Sequence, residues 1–519
     1  MITNQKFFAL SRTVKFVSGE KEHDFPLMIT RNDISSLFQE YHIMGEKCEP
    51  KEISDDHGKL DYLESENFIV VSTLSPKRFS PRILLRIITR IRKNLGYQKL
   101  LYIPGISDPY LIPALFYIGV DVFDNITAKL EGSMGTKYTI FGRSNGIPDY
   151  SNENSEFVKE ELDILRSSCE NGMLTEVVEK YCISHKSNEI LRILKQDYYD
   201  IYEEMYPRTT PGIYAGSLES IQRPDIVRYN SFIRDEYIKP NNSRVALFIP
   251  CSAHKPYSES KTHMELIEAL GKYRREVHEI IISSPVTLVP RELEEVYPPA
   301  FYDIPVTGRW YQEEIDNIRS GLNSFLKRNQ YDKVIFFLPK DMTFIEDFSI
   351  PNSTYILWDK RSPDSFSKLI DSIASFETTE KYQRNFLMEK MQSVATYQFG
   401  NWIIPHIEKM KIIRSYNQHM LTMNGKPILI YNERLGKLSI NREGASIFMN
   451  ERKFCVEIDN FQPTANIYAM GVMGSTDDIR SEDEIVVHCN GDIRGVGIAK
   501  MPHALLGKAK KGVAVKMRN

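Results

Sequence analysis

Between Pro250 and His263 the chain reads PCSAHKPYSESKTH, which sets a cysteine, two histidines and a tyrosine among lysines and serines. Cys251 is the reactive member. A thiolate is a strong nucleophile, and a neighbouring Lys, a protonated His or a helix N-terminus lowers the pKa of the thiol. Lys255, His254 and His263 are close in sequence, and a helix is expected to begin near residue 260. Pro250 and Pro256 stiffen the loop between them. The alternative is an inert, buried cysteine that fills space after a strand. His263 falls in the first helical turn, where the helix dipole disfavours a cation, so it is expected neutral and able to act as a base. Ser260 either joins this chemistry or caps the helix. As metal ligands, Cys251, His254 and His263 would read C-x2-H-x8-H, which matches no common zinc spacing and offers no fourth ligand. No metal and no cofactor is expected.

A second polar stretch, VPRELEEVYPPAFYDIPVTGRW, runs from Val289 to Trp310. Its arginine, Arg291, and its acids Glu292, Glu294 and Glu295 fit a loop folded over a pocket, or else a solvated surface. Asp303, between Tyr302 and Ile304, is the candidate for a buried acid.

These residues need a rigid frame. RVALFIP, HEIIISSP, KVIFFLP and TYILW read as buried strands, with helical patterns near 260–276, 311–329 and 364–376 between them. Apolar strands separated by helices predict an open, mostly parallel α/β sheet over residues 206–380. Ligands of such sheets sit beyond the carboxyl ends of the strands, where Cys251 follows one end and Ser283–Ser284 close another. Residues 1–205 mix short apolar runs, such as NFIVVS and KLLYIPG, with helices. One helix is well marked: Ser80 as cap, Pro81 in the first turn, Gly96 at the end, and a stripe of Leu84, Ile87, Ile88, Ile91 and Leu95. Arg82, Arg86 and Arg90 lie on another face, either solvated or facing phosphates. Residues 381–436 form a mixed connector, and 437–519 a small β-rich domain. Near its end Lys500, Lys508, Lys510, Lys511, Lys516 and Arg518 occur with no acid among them, either a solubilising tail or a patch for an RNA backbone.

A chain of 519 residues predicts several domains, and 42% hydrophobic with 26% charged content suits a soluble globular protein. A net charge of −3 excludes a polycation, so any nucleic-acid binding must come from local patches. Six scattered cysteines with no C-x-x-C argue against a disulfide framework and for a reducing cytoplasm. The start has no apolar core of signal-peptide length, and the most apolar stretch is broken by Pro104, Asp108, Pro109 and Pro113, so no membrane span is expected.

Together these segments resemble the archaeosine synthase family, paralogues of archaeal tRNA-guanine transglycosylases. The pattern PC-x3-KPY-x2-S-x2-H is met at Pro250, Cys251, Lys255, Pro256, Tyr257, Ser260 and His263 with every spacing intact. GISDPYLIPALFYIGVDVFDN is similar to part of the transglycosylase barrel, YQFG to the start of the domain after it, and Leu438–Asn519 to a PUA domain. The transglycosylases' C-x-C-x2-C zinc cluster and DSGxFQ segment are absent, so base exchange is not expected, although Asp124 falls where the transglycosylase nucleophile would.

The resemblance implies a multidomain α/β protein with four parts. Residues 1–205 would be a degenerate, truncated TIM-barrel-like domain and 206–380 the catalytic core. Residues 381–436 would be a small α+β linker of C2-like type and 437–519 a β-barrel PUA domain. It implies addition of an amine to the nitrile of 7-cyano-7-deazaguanine at position 15, in the dihydrouridine loop of tRNA. The donor would be lysine, or else glutamine or ammonia, and a radical-SAM partner would complete the amidine. Cys251, His263, Lys255 and Asp303 would carry the chemistry. Pro250, Tyr257, Ser260, Arg291 and Glu294 would line the substrate, with Tyr257 stacking on the base. Lys508, Lys510, Lys511, Lys516 and Arg518 would meet RNA. A non-catalytic tRNA scaffold is the alternative, and a homodimer is left open.

Overall fold

Every residue of the Val245–Pro250 strand is buried, so both of its faces must be covered and both of its edges paired. It pairs in parallel with Val277–Ile282 on one side and with Lys333–Leu338 on the other. Ser353–Leu357 extends the sheet in parallel, and Leu288–Pro290 closes the opposite edge antiparallel. Helices Lys261–Leu270, Gln312–Arg328 and Asp364–Ala374 alternate with the strands. The expected open, mostly parallel sheet is therefore present. The first helix stops at Leu270, earlier than its periodicity implies, because Gly271 takes φ 46°.

This computed structural model describes residues 1–519 except 38–39, 72–79, 183, 242, 306, 360–361, 363, 376–383, 416–417 and 519. The boundary expected near residue 380 lies outside the described residues. The chain divides into two units, Gly212–Gly444 and a second made of Met1–Pro211 with Ala445–Asn519. The whole is mixed α/β. No helix among the described residues is long and apolar enough to cross a membrane.

Within the Gly212–Gly444 unit, helix Phe386–Phe399 precedes an antiparallel sheet of Lys411–Ser415, Gln418–Met423, Lys426–Asn432 and Lys437–Ile440. Glu295 anchors this region, accepting from Lys390 Nζ at 2.5 Å and from the Tyr431 hydroxyl at 2.7 Å. At Gly436, φ 59°, a Cβ would stand 1.8 Å from the Glu295 carbonyl oxygen, so only glycine fits. Glu292 is buried against the ring of His278 and the Tyr237 hydroxyl. Solvation therefore explains neither acid.

In the other unit, four parallel strands lie in the order Leu27–Ile29, Val122–Asp124, Leu100–Tyr102, Phe68–Val70. Four antiparallel strands continue the same sheet. The helix expected after Ser80 spans Pro81–Leu95, although the Ser80 side chain makes no capping bond. Arg90 does not face solvent or phosphate. It is buried and gives a two-pronged ion pair to Asp55 at 2.8 and 3.0 Å. Asp124 is buried with both oxygens occupied, by Tyr102, Gly105 and Ile126, and burial raises its pKa. The C-terminal sheet orders Asn466–Tyr468, Val513–Arg518, Asp492–Ala499, Glu484–Cys489, Cys455–Ile458 and Val472–Ser475.

The parallel strands are locked to their surroundings by Asp121, which is 1% exposed. It accepts from Arg12 Nε at 2.9 Å, from an Arg92 terminal nitrogen at 2.6 Å and from Leu101 N at 2.8 Å. Burial alone would raise its pKa, but the two guanidinium groups hold it below the ordinary value. Removing the carboxylate leaves two buried cations short of a partner. Asp121→Ala is therefore expected to cost about 3–5 kcal/mol near pH 7 in urea unfolding. A depressed carboxylate contributes its stability above the unfolded pKa and loses it as pH falls through the folded one. The difference between variant and parent should thus narrow below about pH 4, and a gap unchanged from pH 7 to pH 3 would contradict this account.

Candidate active site

The sheet changes direction at its centre: after Val245–Pro250 the chain goes first to one side and later to the other. That switch point opens a crevice at the carboxyl ends of the two strands. Cys251 lines it, its N–H bonded to the Ile282 carbonyl at 3.1 Å, which continues the strand register by one step. The crevice measures about 510 Å³, and Cys251, Ser284, Arg309, Trp310, Asp341 and Trp358 are among its walls. Trp358 is fixed by stacking on Phe337, ring centres 4.8 Å apart. Ser284 donates to Glu314, whose other oxygen takes the Tyr311 N–H at 2.8 Å.

Burial pushes the Cys251 thiol pKa up, and a hydrogen bond from Ser283 and the charge of Lys255 only partly offset that. The expected net lowering is reversed, because desolvation outweighs the neighbouring cation. Lys255 responds in the opposite direction: burial lowers its pKa, opposed by Cys251 and Asp303. Its ammonium lies 3.8 Å from the centre of the Tyr302 ring, a cation–π contact. The Tyr302 hydroxyl bonds both Ser283 and, at 2.7 Å, Tyr257. Burial therefore shifts the thiol, in the crevice wall, and the Lys255 ammonium, held on the Tyr302 ring, in opposite directions.

The other expected residues build the loop. Arg291 divides its guanidinium among Glu279 at 2.7 Å, Glu294 at 2.8 Å and His263 Nδ1 at 2.9 Å. Burial would raise the Glu279 pKa, yet Arg291 and Arg274 hold it at about 2. Since Arg291 can only donate, Nδ1 of His263 accepts, and Nε2–H donates to the Pro250 carbonyl at 2.9 Å. Both ring nitrogens are thus engaged, and neither is free for a metal or for the Cys251 thiol. His263 is neutral, as expected, but burial is the main cause and Arg291 the second.

Several further expectations need correction. Tyr257 is 0% exposed and stacks on His263, so it cannot stack on a base. Arg291 and Glu294 are held in the protein interior; Glu294 also takes the Ser258 N–H at 2.8 Å. Ser260 accepts the His263 N–H and is the helix cap. Asp303 is exposed, not buried, because it ends a two-residue strand at the rim. Of the residues expected at the site, Pro250 and Cys251 line the crevice.

Ser283, Tyr302, Arg309, Trp310, Glu314, Asp341 and Trp358 were not singled out as site residues. For Ser283 the signal was its position after a strand; for the others only an offset from a strand or loop end existed. Near the C-terminus Lys508 and Lys510, before the last strand, and Lys516, within it, are exposed, and Lys511 is half-buried. Arg518 is no free cation: it pairs with buried Glu484.

A family model described as a domain of unknown function (DUF5591) matches residues 226–371. The chain is 41% identical to archaeosine synthase subunit alpha of Thermoplasma acidophilum, over the full length of both. It is 30% identical to archaeosine synthase of Methanocaldococcus jannaschii, covering 89% of this chain and 81% of that one. The crystal structure of AF0587, a protein of unknown function, is 25% identical and matches 57% of this chain and 98% of its own, with a TM-score of 0.45.

The engaged imidazole has a pH signature. Its pKa is lowered to about 4, well under the unfolded value near 6.5. The stability from a depressed histidine is complete above the unfolded pKa and is lost as pH falls toward the folded one. His263 is expected to titrate near pH 4 by NMR, and the unit should weaken between about pH 6.5 and 4 by on the order of 3 kcal/mol. A His263 midpoint above 6 would mean that the ring is not held as described.

Proposed function

We propose a function from one premise: the chain belongs to the archaeosine synthase alpha-subunit family. It acts in archaeosine biosynthesis as a tRNA-modifying enzyme. The reaction we infer is addition of an amine to the nitrile of 7-cyano-7-deazaguanine at position 15 of tRNA, on the way to an amidine. The observation that carries this reading is the placement of Cys251 in the wall of the crevice at the strand ends, near the Lys255 ammonium, whose pKa burial lowers.

The chemistry balances with residues of this chain. The Cys251 sulfur attacks the nitrile carbon, one C≡N π pair moves to nitrogen, and Lys255 gives that nitrogen a proton. The thiol proton restores Lys255, so the net change is addition of S–H across C≡N to form a thioimidate. A donor amine then adds to the same carbon and the thiol leaves, taking a proton from the amine. The product is an N-substituted amidine. Ser284 and Trp310 are part of the crevice wall around the reacting carbon.

Arg309 lines the same crevice, with the acids Asp341 and Glu314 opposite in sign. That pattern suits a zwitterionic amino acid, with the guanidinium on its carboxylate and an acid on its ammonium. Lysine, whose side chain adds a free amine as the nucleophile, is the donor we favour; glutamine presents the same α-groups but only an amide, and ammonia would leave the charge of Arg309 unused. The four parallel strands of the Met1–Pro211 stretch are read as a barrel remnant. The exposed Lys508, Lys510 and Lys516, with Lys511, are read as contacts for the tRNA backbone.

Mass spectrometry of cyano-deazaguanine tRNA incubated with the protein and lysine, glutamine or ammonia tests the reading. A lysine-sized adduct is expected with lysine, and none with Cys251→Ala. No adduct with any donor would favour a non-catalytic tRNA scaffold, and full activity of Cys251→Ala would remove the covalent route. Arg309→Gln is expected to raise the donor KM about tenfold, as one charge-assisted bond is lost, with tRNA affinity unchanged.

A further inference from the structure

The loop that carries Cys251 and Lys255 is tied down at both ends by one guanidinium. At the near end, the peptide unit between Pro250 and Cys251 has both of its polar groups held. Its carbonyl accepts from His263 Nε2–H at 2.9 Å, and its N–H donates to the Ile282 carbonyl at 3.1 Å. A peptide unit is planar, so bonds at its oxygen and its hydrogen fix the plane and place the Cys251 Cα. The sulfur then hangs only two rotations, φ and χ1, from a pinned plane. At the far end, the Ser258 N–H donates to Glu294 Oε2 at 2.8 Å. Arg291 reaches both ends, donating to His263 Nδ1 at 2.9 Å and to the same Glu294 oxygen at 2.8 Å. Its remaining nitrogen is spent on Glu279, in the Val277–Ile282 strand. The guanidinium is thus fixed to the strand whose last carbonyl holds the Cys251 N–H. Lys255 lies within the clamped span, its ammonium 3.8 Å from the centre of the Tyr302 ring.

We propose that Arg291 is a positioning residue that sets where the Cys251 thiol stands relative to Lys255, with His263 as its relay to the Pro250 carbonyl and not as an acid or base. The relay needs one acceptor and one donor on a short rigid side chain. A neutral imidazole with its proton on Nε2 supplies both, accepting from Arg291 and donating to Pro250. The other tautomer would aim an N–H at the guanidinium and a lone pair at the carbonyl, and an imidazolium would aim an N–H at the guanidinium. Both lose the relay. His263 is 0% exposed and lies under the Tyr257 ring, so water does not replace either bond. A glutamine amide carries the same two functions, accepting at its oxygen and donating at its nitrogen, but exchanges no proton near neutral pH. Relay and acid–base chemistry therefore part company at this position.

The bearing on amine addition rests on the proposed function; the placement of the thiol does not. Placement is read by iodoacetamide alkylation of the full-length protein, followed peptide by peptide, with neither tRNA nor amine present. Of the six cysteines, Cys251 alone falls in the Gly212–Gly444 unit. His263→Leu fills the space but makes no hydrogen bond. It is expected to let the half-buried thiol swing out, speeding its alkylation about tenfold and slowing amine addition to tRNA about tenfold. His263→Gln is expected to bring both rates back to within about threefold of the parent. Arg291→Lys keeps the charge without the three directions and is expected to match His263→Leu. Unchanged alkylation in a folded His263→Leu or Arg291→Lys protein would overturn the proposal. So would a His263→Gln protein with parental alkylation that adds no amine, because the ring would then be moving protons. That second comparison decides the matter should the disruptive variants no longer unfold cooperatively at the parental temperature. A parent that adds no amine to tRNA would sink the proposed function, and the alkylation rates would still judge this inference.

Discussion

The Gly212–Gly444 unit turns on one guanidinium. Arg291 joins Glu279 on a central strand, Glu294 on the turn that follows the edge strand, and His263 on the first helix. Through His263 the connection reaches the Pro250 carbonyl, one residue before Cys251. A buried cation is tolerated only where its partners are complete, and here each of the three guanidinium nitrogens has one. A lysine could supply the charge but not three fixed directions in a plane. The backbone that aims Cys251 is thus set by a charge some distance from the thiol.

The sheet topology supplies the rest of the site. Because the chain switches sides at Val245–Pro250, the loops after neighbouring strands part, and the crevice forms where Cys251, Asp341 and Trp358 can face one space. The sulfur sits at the boundary between that space and an interior lined by hydroxyls. Desolvation makes it a weaker acid, and it also makes Lys255 a better proton donor, so the two influences that harm each group alone bring the pair toward balance.

The other unit uses the same device for stability. Asp121 is to Arg12 and Arg92 what Glu279 is to Arg291 and Arg274: a buried carboxylate whose cost is offset by two guanidinium groups. Asp124, three residues on, is satisfied by backbone and phenol instead and has its pKa raised, not lowered. Two aspartates at opposite ends of one short strand therefore behave oppositely, and the difference is the company each keeps.

Much was legible in the sequence because it depends on local pattern. The apolar runs at 245–250, 277–282 and 333–338 had to be buried strands, Pro81 and Gly96 bounded a helix, and Ser260 could cap another. The spacing of Pro250, Cys251, Lys255, Tyr257 and His263 marked one loop as special. What that loop's members do was decided by tertiary contacts. Arg291 and Glu294 read as ligand residues until Glu279, 12 residues from Arg291 in sequence, was found bonded to it. Tyr257 read as a stacking platform until His263 covered it, and Asp303 read as buried although its short strand ends at the rim. Sequence alone determined which segments are strands and helices and which cysteine stands at a strand's end, because backbone hydrogen bonding and apolar periodicity act over a few residues. Only the tertiary structure decided which polar side chains face the crevice and which hold it open. Charge pairing and desolvation act through space, between residues that the chain keeps far apart.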